Sequence, residues 1–214
     1  MLELNKIYLM DCMEGMRQFP DKYFELAIVD PPYGISINNN MGRRKGDKKS
    51  DYKDNYWDNK PPDDTYFKEL FRVSKNQIIW GANHFISKIP FDSSCWIVWD
   101  KLFSEDVSFA SVELAWTSFK TVSKRLQLSS QQLNRIHSCQ KPVALYAWLL
   151  NNYAKQGDKI LDTHLGSGSS VIACHKLGFE YIGFELDEDY FNAAQERIDN
   201  FKAQTNIFDL MGAK

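Results

Sequence analysis

Lys159-Ile-Leu-Asp-Thr-His-Leu-Gly-Ser-Gly-Ser-Ser-Val-Ile-Ala-Cys-His-Lys-Leu177 decides the fold. A short apolar run, Lys159–Asp162, ends in a carboxylate. A turn built on Gly166 and Gly168 follows, and then Ile172, Ala173 and Leu177 recur at helical spacing. Strand, glycine turn and helix in this order begin a parallel βαβ unit. Glycine lets the backbone approach a ligand lying between the strand end and the helix N-terminus. Glu185 ends the next apolar run, nineteen positions after Gly166. That is the spacing at which an acid meets ribose hydroxyls, so a nucleoside ligand is expected.

The identity of the nucleoside can be narrowed. A dinucleotide fingerprint asks for a third glycine where Val171 stands, and a pyrophosphate is poorly served by Asp162 at the head of the loop. NAD is disfavoured. S-adenosylmethionine, which carries an ammonium and a sulfonium, suits an acidic loop, and Ser167, Ser169 and Ser170 join Asp162, Gly166, Gly168 and Glu185 as candidate cofactor contacts.

Outward from this stretch the pattern repeats. Ile7–Met10, Leu26–Asp30, Gln77–Gly81, Trp96–Asp100 and Tyr181–Glu185 read as strands, and Thr65–Val73, Pro142–Ala154, Ser169–Leu177 and Glu188–Ala203 as helices. Pro142 suits the first turn of its helix, where a missing N–H costs nothing. Strands that end in acids and alternate with helices predict a doubly wound, mostly parallel α/β sheet. Val112–Thr117 follows Trp96–Asp100 as a hairpin partner, which places an antiparallel strand at one edge.

At 214 residues, 43% hydrophobic and 25% charged, the chain has the composition of one globular domain, 1–214. The absence of an 18-residue apolar run and of a basic leader points to a cytoplasmic protein. Cys12, Cys95, Cys139 and Cys174 form no C-x-x-C pair, and His84, His137, His164 and His175 show no ligand spacing with them, so no metal is expected. The net charge of −2 gives no global sign of nucleic-acid binding. Locally, Ser36–Lys60 holds seven basic and four acidic residues, and Ser118–Lys141 five basic and no acidic ones. The first reads as a long mobile loop, 36–60.

Asp30-Pro31-Pro32-Tyr33 follows the strand that starts at Leu26. Two prolines remove two N–H donors and stiffen the backbone, leaving carbonyls and one carboxylate beside an aromatic ring. An exocyclic amine on a flat base needs such acceptors and such a ring.

These residues resemble the S-adenosylmethionine-dependent DNA amino-methyltransferases, in the subgroup whose catalytic half precedes the cofactor half. Within that family the chain resembles small phage and prophage adenine-N6 enzymes. The resemblance implies a Rossmann-like class I methyltransferase fold in circularly permuted order, with Asp30, Pro31, Pro32 and Tyr33 catalytic. It also implies that Asp11 meets the cofactor's adenine, that Glu185 meets its ribose, and that His137-Ser-Cys-Gln-Lys141-Pro142 closes over its methionine part. Asp30 would touch both amine and cofactor. The chain departs from the family at Ser138-Cys139 and Thr163-His164, and 118–136 is a short target-recognition insert.

The expected reaction is transfer of a methyl group to adenine N6 in double-stranded DNA by direct attack after base flipping. Arg43, Arg44, Lys45 and Trp57 on one side and Lys124 and Arg125 on the other would clamp the DNA. Bacterial or phage-infected cytoplasm, a restriction-modification setting and a homodimer are compatible with this reading. Cytosine-N4 transfer uses the same grip, although Ser in place of the first Asp is commoner for it in the family. A catalytically silent nucleic-acid-binding domain is the alternative from another class. Cytosine-C5 chemistry is excluded because no Pro-Cys pair occurs, and motif order disfavours methylation of a protein glutamine.

Overall fold

The computed structural model describes residues 1–35, 60–103, 110–132, 135–137 and 139–204, with the backbone alone at 205–212. Eight strands form one sheet: β1 (Lys6–Leu9), β2 (Phe24–Val29), β3 (Ser74–Trp80), β4 (Trp96–Asp100), β5 (Val112–Thr117), β6 (Lys124–Gln127), β7 (Lys159–Asp162) and β8 (Glu180–Glu185). Their order across the sheet is β1-β8-β7-β2-β3-β5-β4-β6. Among these strands β5 alone runs against its neighbours, β3 and β4. It lies inside the sheet, so the antiparallel strand is not at the edge where the hairpin argument placed it. The edge is taken by β6, which returns parallel to β4.

Among the described residues five α-helices cover the faces: α1 (Cys12–Met16), α2 (Asp64–Val73), α3 (Val143–Tyr153), α4 (Ser169–Leu177) and α5 (Glu188–Gly212). Side-chain alternation along the central strands divides the core in two. Leu26 and Ile28 of β2, with Ile78 and Trp80 of β3, face Leu145, Leu149, Ile172 and Ile198 of α3, α4 and α5. Ala27, Val29 and Ile79 face Met16, Phe67 and Leu70 of α1 and α2. Each large aliphatic so buried contributes about 1.5–3 kcal/mol, which explains why both faces of β2 are apolar.

Local chemistry sets the helix ends. Asp63 caps α2 by accepting from the amides of Thr65 and Tyr66. Near the end of α2, Arg72 bonds Glu69, Asp21 and the carbonyls of Phe19 and Met16, tying α2 to the chain that leaves α1. Pro142 is the N-cap of α3 and stands just outside the helix, one place before the expected position. Its missing N–H costs no helical bond there either.

The connections out of β2 and β7 diverge. β2 leads through α2 to β3 on one side, and β7 leads through α4 to β8 on the other. The sheet therefore has its topological switch between β7 and β2, the place where ligands enter doubly wound sheets.

α1 approaches β8 so closely that a Cβ built on Gly15 would lie 2.4 Å from the Phe184 ring, which is fully buried. Gly15→Ala should therefore destabilise the protein by about 1–3 kcal/mol despite alanine's better helix propensity. Urea unfolding followed by circular dichroism measures this. Unchanged stability would show that the contact has slack.

Candidate active site

The loops after β1, β2, β7 and β8 line a cavity of about 500 Å³ at the switch point. From β1 come Met10, Asp11 and Cys12, from β2 Asp30 to Tyr33, from β7 Thr163 to Ser167, and from β8 Glu185 to Asp187. His137, Cys139, Gln140, Lys141, Glu113, Tyr146 and Tyr190 complete the wall.

The two halves of the wall differ in character. On the side formed after β1, β7 and β8, Asp11 caps α1, with both cap bonds going to Oδ1. The Glu185 carboxylate ties two loops together. Its Oε2 accepts from the Gly166 amide at 2.8 Å and its Oε1 from the amides of Leu186 and Asp187 at 2.9 and 3.0 Å. Burial raises the Glu185 pKa, and those three amides oppose the rise. Apolar cover comes from Met10, Leu165, Phe184 and Leu186. His137 takes the Cys139 amide on Nδ1 at 3.1 Å, and its ring lies 4.4 Å from that of Tyr190. Burial, with the charges of Lys141 and Arg135, lowers His137 to about 4, so the imidazole is neutral.

On the acceptor side, Asp30 is held from two directions. Its Oδ1 accepts the Tyr33 hydroxyl at 2.7 Å and its Oδ2 the Lys141 ammonium at 2.6 Å. The Tyr33 ring stacks on His84, 5.1 Å between centroids and 14° from parallel. Its position depends on Gly81, where φ is +66° and a Cβ would sit 2.0 Å from the ring. Lys141 also contacts Glu113 Oε2 at 3.0 Å, and Glu113 Oε1 accepts from Lys101 at 2.6 Å. Burial would raise the Glu113 carboxyl, but the two ammonium groups outweigh it and hold the acid far below its usual range. The same balance, with Asp30 and Glu113 overcoming burial, keeps Lys141 charged.

A sequence profile described as DNA methylase matches residues 74–196, more than half of the chain. The chain belongs to the DNA methylase family. The type II methyltransferase M.HinfI of Haemophilus influenzae is 24% identical over 260 residues, covering 97% of this chain and 72% of its own. Among solved structures, the M1.HpyAVI–SAM complex matches with a TM-score of 0.63 at 18% identity, over 90% of this chain and 98% of that one. The cytosine-N4-specific PvuII DNA methyltransferase matches at 0.62 and 14%, over 92% and 90%. Both are likenesses of fold.

In this DNA methylase the wall contains the expected Asp11, Asp30, Pro31, Pro32, Tyr33, His137, Lys141, Gly166, Ser167 and Glu185. It does not contain Asp162, Gly168, Ser169 or Ser170. These stand behind the loop and hold its shape. Asp162 accepts from the Ser170 hydroxyl and the His164 amide, and Ser169 is bonded by Ser167 and Arg197. Gly168 is the left-handed N-cap of α4, with φ at +72°.

Of the residues expected to clamp DNA, Lys124 and Arg125 fall among the described ones. Both are on β6, where the sequence shows a loop. Lys124 begins that strand, at the end of the sheet away from the cavity, with its ammonium on Asn152 of α3 and over the Tyr153 ring. Arg125 pairs with Asp100 at 2.6 Å. Arg43, Arg44, Lys45 and Trp57, and the whole of 36–59, lie outside the described residues. Glu113 and Lys101 gave no sequence signal, because one acid in a half-buried strand and one lysine after another are ordinary surface residues by pattern.

Burial raises the Asp162 carboxyl from its ordinary 3.8 to about 7, against the opposing hydrogen bonds from Ser170 and His164. The folded protein thus keeps a proton that the unfolded chain releases. Its stabilising contribution is full below pH ~4 and is lost as pH rises to ~7. The neutral histidines, His137 and His164, act in the opposite sense but cancel in a comparison of variants. Asp162→Asn should therefore raise stability relative to the unaltered chain more at pH ~8 than at pH ~5. Urea unfolding at the two pH values checks it, and an equal difference at both would refute the raised pKa.

Proposed function

We propose that this chain transfers the methyl group of S-adenosylmethionine to the N6 amine of adenine in double-stranded DNA, the target base having left the helix. The observation that carries this reading is the placement of Asp30, held by two prolines, across one cavity from the Gly166–Glu185 nucleoside seat. A cavity of about 500 Å³ suits a nucleoside-sized ligand.

The residues fit the cofactor. Asp11 has Oδ2 outside its cap bonds and can accept an adenine amine; Glu185 can accept ribose hydroxyls with its remaining lone pairs. Neutral His137, above Gly166, adds no positive charge beside a sulfonium. When bound, S-adenosylmethionine supplies an electrophilic methyl whose bonding pair departs on sulfur.

The chain's own task is to orient and activate the amine. Its lone pair is delocalised into the base ring, so the nitrogen attacks well only when its N–H groups are drawn to acceptors and it becomes more tetrahedral. Asp30 and the Pro31 carbonyl are the acceptors for those N–H groups. As the N–C bond forms and the S–C bond breaks, the amine sheds one proton, which Asp30 receives and passes to water. Holding nitrogen and methyl at near-attack distance is worth about 7–11 kcal/mol. Extruding the base costs about a few kcal/mol.

Cytosine-N4 transfer is the second reading, favoured by the likeness to the PvuII enzyme. Incubation with unmethylated DNA and methyl-labelled S-adenosylmethionine, followed by digestion to nucleosides, decides between them. Label in N6-methyladenine is the expected result, and label in 4-methylcytosine would overturn adenine specificity. Asp30→Ala should lower transfer about 10²–10³-fold, as loss of one aimed polar contact does elsewhere. Cofactor binding by calorimetry should persist. A near-unaltered rate would remove Asp30 from the chemistry.

A further inference from the structure

The Lys141 ammonium stands where the proposed reaction needs the substrate amine. It donates to Asp30 Oδ2 at 2.6 Å and lies 3.4 Å from the Tyr33 hydroxyl. A nitrogen bearing N–H donors, within hydrogen-bond distance of the Asp30 carboxylate and 5.9 Å from the centre of the Tyr33 ring, imitates an exocyclic amine in both chemistry and place. The two cannot share Oδ2 without bringing a full positive charge against the amine that is to become nucleophilic.

A second seat lies beside the first. Glu113 Oε2 is buried and, among the described residues, accepts no hydrogen bond. It is 3.0 Å from the Lys141 nitrogen, an ion pair without the alignment of a hydrogen bond. Paired by charge but not aligned, that oxygen would gain a charge-assisted hydrogen bond if the ammonium turned towards it. The other oxygen of Glu113 is held by Lys101, which fixes the carboxylate while Oε2 faces Lys141. The Trp80 ring, 5.4 Å below the ammonium, offers a cation-tolerant surface across which it can move.

We infer that Lys141 is a placeholder on Asp30 before the target base binds, and that Glu113 is the positioning residue to which its ammonium transfers when the target amine arrives. The inference rests on the methylase reading of the same site. The move keeps the buried charges balanced. Asp30 and Glu113 are neutralised by Lys141 and Lys101 in both arrangements, and only the hydrogen bonds exchange. It leaves Asp30 Oδ2 to the substrate and moves the lysine's charge onto Glu113.

The test is steady-state methyl transfer to long unmethylated DNA at saturating labelled S-adenosylmethionine, with cofactor affinity measured separately by calorimetry. Glu113→Gln, which weakens the second seat, should lower kcat/KM for DNA at least tenfold while leaving the cofactor Kd within twofold. Adding Lys141→Met to that variant removes the competitor and the charge imbalance together, and should recover at least fivefold of the loss. A Glu113→Gln enzyme within twofold of the unaltered one would overturn the inference. So would a double variant no better than Glu113→Gln, since a purely structural ion pair gives no such recovery. Should Glu113→Gln fail to fold, a structure of the unaltered chain with DNA and S-adenosylhomocysteine gives the same answer. Lys141 should be hydrogen-bonded to Glu113 when a base occupies the site, and Lys141 still on Asp30 beside that base would refute the transfer. Absence of any methyl transfer by the unaltered chain would instead overturn the methylase reading, and the inference with it.

Discussion

The site depends on the pairing of β2 with β7, in which Leu26 lies beside Ile160 and Ala27 beside Leu161. These strands come from opposite halves of the chain, and nothing local brings them together. Burial does, because β2 is apolar on both faces and β7 is nearly so. Once they are adjacent, Asp30 and the Gly166 turn must emerge side by side, because parallel neighbours end at the same edge of the sheet. The helices that follow leave in opposite directions, and the space between their starts is the cavity. Asp30 and the Gly166 turn are neighbours because two hydrophobic strands are.

The same geometry creates an electrostatic problem. Asp30, Asp162, Glu185 and Asp11 all stand at the carboxyl ends of strands, in a region that is largely buried. The solutions differ from acid to acid. Glu185 is stabilised by three amides, Asp162 is pushed towards its protonated form, and Asp30 is given a lysine. A buried pair of this kind adds little net stability once desolvation is counted. Lys141 on Asp30 is better understood as matching the charge of a half-buried carboxylate than as holding the fold together.

Much of this could be read from the residues. Trp96–Asp100 and Lys159–Asp162 match β4 and β7, and Ser169–Leu177 matches α4, because a short apolar run and a glycine turn leave little freedom. Asp30, Gly166 and Glu185 were legible because strand ends are where a parallel sheet presents its chemistry. The illegible parts have physical reasons. β6, Lys-Arg-Leu-Gln, is a polar edge strand, stabilised by pairing with β4 and not by any pattern of its own. α1 has only five residues, too few to show a period. Asp162 reads as a ligand contact because an acid at the head of the glycine loop suits a cationic cofactor; only packing shows that Ser170 and His164 take its oxygens.

Glu113 is the instructive omission, and β5 explains it. Acids useful to a parallel sheet are sought where strands end, yet Glu113 is the second residue of its strand. Because β5 is reversed, its beginning lies at the same edge as the ends of β3 and β4, and the register sets Glu113 beside Trp99, two residues before Lys101. Lys101 is thereby within reach of one carboxylate oxygen and Lys141 of the other. A parallel strand at this position would have turned its first residues to the far edge, about 15–20 Å away for a strand of this length. The reversed strand is what delivers a carboxylate to the Asp30 side of the cavity from within the sheet. The direction of β5 therefore belongs to the chemistry of the site as much as to the fold.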